Sequence, residues 1–398
     1  MSEDVSSPAG GSFARAARRL GVGSVLGSLL FSSRFVTIWI AGAVLLVVCQ
    51  MVAPETLSSA SWSILLPVGS VVAIVALGQM LVIMMGGIDL SMAAAISLLA
   101  NILVGVSEGD DDRLAYALVI VLLWAVVVGL VNGFLVAILE LNPLIVTLST
   151  GLILLGITSE YRLGTANSST VPEVLSDFVF EKSFGISKTF WFVLALTVVI
   201  TLVLRSTTIG RRFQAVGANR RAAWVAGIRV RSYVMFAYVA AAVAAGLAGA
   251  IIGGIVVSPG VDPGAAYLLG PVAAVVLGGA ALSGGLASPT STWAAAFFVT
   301  ILNQLLRVLG LSAASQYVVF GLAIILGMVI SGDRIAAVVG HLLLRPGIRG
   351  LIEADDRAPS EPDGTPRSER DPSDAALRVD PEADVRTRQE VPVRSDKG

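Results

Sequence analysis

Histidine and cysteine each occur once in the 398 residues, as His341 and Cys49, and charged residues make up only 14% of the chain. One cysteine leaves no disulfide framework within the chain. One histidine excludes H-E-x-x-H and every multi-histidine metal site. The P-loop pattern G-x-x-x-x-G-K-[ST] is also missing. "GVGSVLG" at 21–27 has glycines but no lysine, and follows no strand pattern. A soluble domain carries about 25% charge, so the shortage of charge points away from water. What is present agrees: 55% of the residues are hydrophobic, the mean hydropathy is +0.84, and there are 41 glycines, a residue common in membrane helices.

The remaining charge is unevenly placed. The segment 353–398 holds 13 acidic and 8 basic residues, is rich in proline and serine, and has no aromatic residue. Such a composition cannot bury enough apolar surface to offset its ordering entropy, and predicts a disordered acidic tail. Residues 1–34 carry Arg15, Arg18, Arg19 and Arg34 ahead of the first long apolar run and read as a cytoplasmic arm.

A membrane helix needs about 20 mostly apolar residues. Ten runs qualify or nearly qualify: 35–53, 63–85, 91–107, 114–138, 143–160, 189–205, 232–257, 267–282, 290–309 and 315–332. The third and eighth are short. The expectation is an all-α polytopic membrane protein with about 10 transmembrane helices and a permease domain at 35–333. A juxtamembrane segment, 334–352, precedes the tail. Arginine and lysine in short loops mark the cytoplasmic side. The stretch "TTIGRRFQAVGANRRAAWVAGIRV", 207–230, has five arginines and no acidic residue; Arg205 and Arg231 raise the count to seven. Its side should be inside, with both termini, while "EGDDDR" at 108–113 falls outside.

That basic stretch also holds a helical pattern. Asn219 reads as an N-cap and Gly227 as the residue beyond a helix end, with "RRAAWVA" between them. A second short piece runs from Arg211 to Val216. Such short helices do not stand alone. Composition leaves two readings, a plain topology signal or a docking element for a cytoplasmic partner.

Four stretches, in order, resemble the ribose-type permeases of ATP-binding-cassette importers. The first is "GGIDLS", Gly86 to Ser91. The second is "NPLIVTLSTG", Asn142 to Gly151, which includes Pro143. The third is the basic stretch, and the fourth is "AAVVLGGAALSGGLAS", Ala273 to Ser288. The resemblance implies a type II-importer-like permease fold in a bacterial inner membrane. It implies a second permease copy, cytoplasmic ATPase subunits that hold the ATP and magnesium, and an extracytoplasmic sugar-binding protein. It implies no cofactor on this chain and no nucleic acid partner. It makes Gly210, Arg211, Ala215, Gly217, Asn219, Ala222, Ala223, Trp224 and Gly227 the ATPase-coupling residues. Where the family often has Pro-Glu, this chain has Arg220-Arg221, so a contact through that glutamate cannot form here. The cargo implied is a monosaccharide; nucleosides and other small polar solutes are carried by relatives.

The polar residues inside the apolar runs are the candidates for a pathway or gate: Gln79, Asp89, Asn101, Asn132, Thr147 and Asn303. Each also has a structural reading, since amides in a membrane often bond neighbouring helices. Asp89 with Ser91 reads as a local turn or cap. The glycines Gly86, Gly87, Gly278, Gly279, Gly284 and Gly285 read as turn or close-packing positions. An ion-driven transporter would need paired carboxylates in the membrane; only Asp89, Glu140 and Asp333 come near such positions.

Overall fold

The computed structural model describes residues 33–164 and 170–331. The acidic tail, the juxtamembrane segment, all but the last two residues of the N-terminal arm, Asp333 and His341 lie outside the described residues. The chain divides at 340/341, and the second unit lies wholly outside them.

Thirteen α-helices and one small hairpin make up the described part. They are α1 (Ser33–Val52), α2 (Ser59–Met84), α3 (Met92–Ser107), α4 (Leu114–Ala137), α5 (Pro143–Gly164), α6 (Glu173–Phe180), β1 (Lys182–Ser183) and β2 (Ile186–Ser187). After these come α7 (Lys188–Ser206), α8 (Thr208–Ala218), α9 (Arg220–Val225), α10 (Val230–Val256), α11 (Gly270–Leu277), α12 (Pro289–Val308) and α13 (Ala313–Ser331). Five segments among the described residues are long and apolar enough to cross a membrane: Ser59–Met84, Asp111–Ala137, Pro143–Leu163, Lys188–Ser206 and Val230–Val256.

Helix α2 is the axis of the bundle. Its most apolar stretch is 89% buried, against 28% for those of α4 and α7. It packs against α10, α12, α11 and α7, while α10 also packs on α4 and α3. The outer flanks of α4, α5 and α7 leave Leu123, Val127, Leu152 and Val199 exposed, the surface expected of helices solvated by lipid. Lipid is as apolar as leucine, so burial alone does not draw such helices together, and close van der Waals contact must. Small residues supply it. A methyl group at Gly78 of α2 would lie 2.8 Å from Ala244 Cβ on α10, and one at Gly129 of α4 would lie 2.5 Å from Val239 Cα.

Two expectations need correction. The run 267–282 is not one span: its only α-helix is the eight-residue α11, about 12 Å long. Gly270-Pro271 start it, and Gly279, at φ +83°, ends it. The piece expected from Arg211 to Val216 is longer, because Thr207 caps it early, accepting a hydrogen bond from Gly210 N at 3.1 Å. Residues 170–188 hold the amphipathic helix α6 and the β1–β2 hairpin.

Between α10 and α11 the chain turns back along α3. Asn101 Nδ2 donates to Gly260 O at 3.1 Å, and Ser97 Oγ donates to Asp262 Oδ1 at 2.6 Å. Gly264 N donates to Ser97 Oγ at 2.9 Å, and a Cβ at 264 would lie 2.0 Å from Ala93 O. Positions 93, 97 and 101 are one face of a helix in steps of about 6 Å. Two residues of non-helical chain span a comparable distance, up to about 7 Å. The return segment therefore meets α3 at every second residue of its own and every fourth of the helix.

Candidate functional site: a glycine junction beneath the basic loop

The basic stretch folds as α8 and α9. On α8, Gly210, Phe213 and Val216 are buried and Arg211, Arg212, Ala215 and Ala218 are exposed, an amphipathic helix laid on the bundle. Asn219 ends α8 and caps α9, its Oδ1 accepting from Ala222 N at 3.0 Å. Helix α9 closes with Ile228 N donating to Ala223 O at 3.0 Å and Gly227 N to Trp224 O at 2.9 Å. Gly227 sits at φ +78°. This is a Schellman closure, which favours glycine because a Cβ disfavours the left-handed conformation. The two helices thus sort the expected coupling residues. Gly210 and Ala223 face the protein, whereas Arg211, Ala215, Asn219, Ala222, Trp224 and Gly227 face outward. Trp224 is 71% and Val225 75% exposed, a large apolar pair on a short, otherwise basic helix.

Gly217 decides how this loop is seated. A Cβ there would lie 2.2 Å from Met84 O and 2.9 Å from Gly285 N. Gly285 N donates to Met84 O at 2.9 Å. Gly284 and Gly285 have φ of +95° and +86°, and a Cβ on Gly285 would lie 2.9 Å from Ala218 Cα. The Arg220 guanidinium donates to Met85 O. Three sequence motifs far apart in the chain therefore meet backbone to backbone: the end of α2 entering "GGIDLS", the end of α8, and the "SGG" turn between α11 and α12. Gly278 belongs to the same connection, where a Cβ would lie 3.0 Å from Thr292 N and Cα on α12.

The "GGIDLS" linker is non-helical backbone inside the bundle, and its polar groups need partners from protein. Three helices provide them. From α2, Gln79 brackets Asp89, its amide donating to Asp89 O and accepting from Asp89 N, both at 3.1 Å. This pairing fixes the amide's orientation. From α5, Thr147 Oγ1 accepts from Leu90 N at 3.1 Å and approaches Ile88 O at 3.3 Å. From α4, Asn132 Nδ2 donates to Ser91 Oγ at 2.8 Å. Asp89, 4% exposed, accepts from Ser91 N at 2.9 Å and from Ser91 Oγ at 2.6 Å. That is an Asx turn; α3 itself begins with no side-chain cap. Gly86 takes φ +74° to end α2, and at Gly87 a Cβ would lie 2.6 Å from Tyr238 Oη. Pro143 opens α5 beside this linker: Pro143 Cβ lies 3.4 Å from the Cβ position of Gly87.

Four of the six pathway candidates, Gln79, Asp89, Asn132 and Thr147, thus converge on one linker. The other two lie elsewhere. Asn101 holds the return segment. Asn303 borders a small cavity of about 80 Å³ with Thr300, Gln304, Arg307 and Tyr267, and its Oδ1 is buried without a partner among the described residues. Sequence reasoning missed Tyr238, whose hydroxyl is buried against Gly87 without a hydrogen-bond partner among the described residues. It also missed Ser97 and Asp262. No motif marks these positions. The only signal was a hydroxyl inside an apolar run, for Ser97 and Tyr238, and a carboxylate in the short Gly- and Pro-containing connection between two runs, for Asp262.

Comparison with known proteins now adds to this geometry. The sequence model of the family described as branched-chain amino acid transport system / permease component matches residues 61–351. The chain belongs to this family of transport permeases. It is 30% identical to the probable ABC transporter permease protein y4mJ of Sinorhizobium fredii, covering 73% of this chain and 87% of that protein. It is 30% identical to the ribose import permease protein RbsC of Haemophilus influenzae, over 73% and 90%. It is 28% identical to the galactose/methyl galactoside import permease protein MglC of Escherichia coli, over 75% and 94%. No solved structure matches. The matched region contains α3 to α13 and all but two residues of α2, so it includes every part of the glycine junction.

Proposed function

We propose that this permease is the transmembrane subunit of an ATP-driven importer for a monosaccharide, working across a bacterial inner membrane with both termini in the cytoplasm. The observation that carries the mechanism is the seating of α8 on the end of α2 and on the Gly284–Gly285 turn. An outside partner that holds Trp224, Val225, Arg211 and the arginines of α9 has a direct hold on the central helix. Membership of the permease family and the ribose and galactose import permeases among its relatives support the cargo class.

In this reading ATP binding and hydrolysis occur on separate cytoplasmic subunits, one for each of two permease copies, and an extracytoplasmic binding protein delivers the sugar. The ten-span topology is part of the proposal. The five long spans, α1, α3, α12 and α13 cross the membrane. The return segment and α11 together form a tenth, broken crossing, as discontinuous helices do in other transporters. Closure of the ATPases moves α8 and α9, the junction transmits that motion to α2, and the pathway opens to alternate sides. Asp89 and its partners Gln79, Asn132 and Thr147 fix the gate linker. Asn101 and Asn303 border the weakly polar pathway beside the broken crossing.

The test uses two single variants in membranes that also contain the ATPase. Trp224→Glu changes only the outward face; Gly217→Trp breaks the seat. Trp224→Glu should insert normally and fail to co-purify with the ATPase. Retention of the ATPase by an inserted Trp224→Glu protein, together with normal sugar uptake, would overturn the coupling role.

A further inference from the structure

Beside α8 lies an apolar crevice of about 270 Å³ between α2, α7 and α10. Leu77 and Leu81 line it from α2, Val199 and Val203 from α7, and Phe236 and Val243 from α10; Ile209 and Gly210 of α8 close one end. Val199, Val203, Ile209 and Phe236 are 40% to 59% exposed, so the crevice opens outward, on the flank that faces lipid. Its α8 end is basic. Arg212 stands one helical turn from Ile209 on α8 and is exposed, and Arg211, also exposed, donates to Ser206 O at 3.3 Å. No aspartate or glutamate occurs anywhere in α2, α7, α8 or α10.

We infer that this crevice is a binding site for one anionic phospholipid of the inner leaflet, with an acyl chain along α2 and the headgroup phosphate at Arg212 of α8. An apolar slot in a membrane-facing wall that ends in cations matches the two halves of such a molecule, and basic pockets between helices on the cytoplasmic side recognise anionic headgroups. A second permease copy is a poorer occupant, since an isologous contact here sets the same arginines against each other. The placement in the inner leaflet rests on the orientation proposed above. The lipid touches Gly210 and Ile209, so its presence supports the helix that the ATPase would hold.

The test is native mass spectrometry of the intact permease–ATPase complex, equilibrated with equal amounts of phosphatidylglycerol and phosphatidylcholine. The wild type should retain one phosphatidylglycerol per permease copy. Arg212→Gln should lower the preference over phosphatidylcholine about fivefold, the worth of one arginine near an anionic surface. Ala240→Phe with Val243→Phe, which fill the crevice, should abolish retention of either lipid. Equal retention of both lipids by wild type, or undiminished retention in the filled variant, overturns the site. So does efficient disulfide formation between Phe236→Cys residues of two copies, which would show protein in the crevice. If the filled variant fails to insert, Arg212→Gln still decides. ATPase co-purification is recorded on the same samples, so a lipid result that fails leaves the coupling role separately tested.

Discussion

At Asn219 one residue does two jobs: its extended backbone ends α8 and its side-chain Oδ1 holds the first turn of α9. Loss of such a cap costs about 0.5–2 kcal/mol, a large share of what a six-residue helix has. Asn219→Ala should therefore raise amide exchange across 220–226, measured by hydrogen–deuterium exchange in detergent, while exchange in α2 stays unchanged. Equal protection in both proteins would mean that α9 is held by packing alone. Gly217 is stricter. Its missing Cβ is the space that Met84 O occupies at 2.2 Å, and neither neighbour is a side chain that can swing aside. Gly217→Ala should lower the thermal unfolding midpoint and sugar uptake together. Gly156, with nothing within 4 Å of a Cβ, is the matched control, and Gly156→Ala should leave both close to wild type.

For the elements, the informative comparison is between the helices and the pieces that join them. The helices follow from apolar runs that repeat no polar stripe, and nine of the ten expected runs fall on helices of similar extent. The caps were legible too: Asn219 and Gly227 stand where turn chemistry puts them. What the chain order hides is which distant backbone needs which side chain. Thr147 is 57 residues from the Leu90 N–H that it accepts from, and Ser97 is 165 residues from Asp262. Periodicity carries no trace of such pairs. The eighth run was misread because hydropathy counts apolar residues without asking whether the backbone can stay helical through Gly270-Pro271 and Gly278-Gly279. The linker gives a direct prediction. Thr147→Val keeps the shape but leaves Leu90 N–H without its acceptor, and a buried group so orphaned costs about 1–3 kcal/mol. The variant should unfold at a lower temperature in detergent, with Thr147→Ser restoring most of the loss. Full stability of Thr147→Val would show that water reaches the linker.

For the whole molecule, the sequence motifs were recognisable singly, yet their meeting was not. "GGIDLS", the basic loop and "SGG" lie about 130 and 70 residues apart, and the glycines of the last read equally well as helix-packing positions. Glycine writes a requirement for space into a sequence without naming the neighbour. The fold names it: α8, α2 and the α11–α12 connection share one contact. Because the joint is common to three elements, lesions within it should not add. Gly217→Ala and Gly285→Ala each disturb the same contact, so their combined effect on uptake should fall well short of the sum in a double-mutant cycle, whereas additive losses would place them in separate mechanisms.

A joint made of main chain has no rotamers. Side-chain interfaces absorb a small displacement by letting a χ angle turn; here carbonyl, amide and Cα touch directly, so nothing soft lies between α8 and α2. Helix α2 is 26 residues long, about 39 Å from end to end, and is gripped by four other helices. A shift of an ångström imposed at its α8 end is therefore not lost locally. It must appear as a tilt or slide of the rod from Met84 back to Pro67, where the missing N–H lets the helix bend, and it arrives there without backlash.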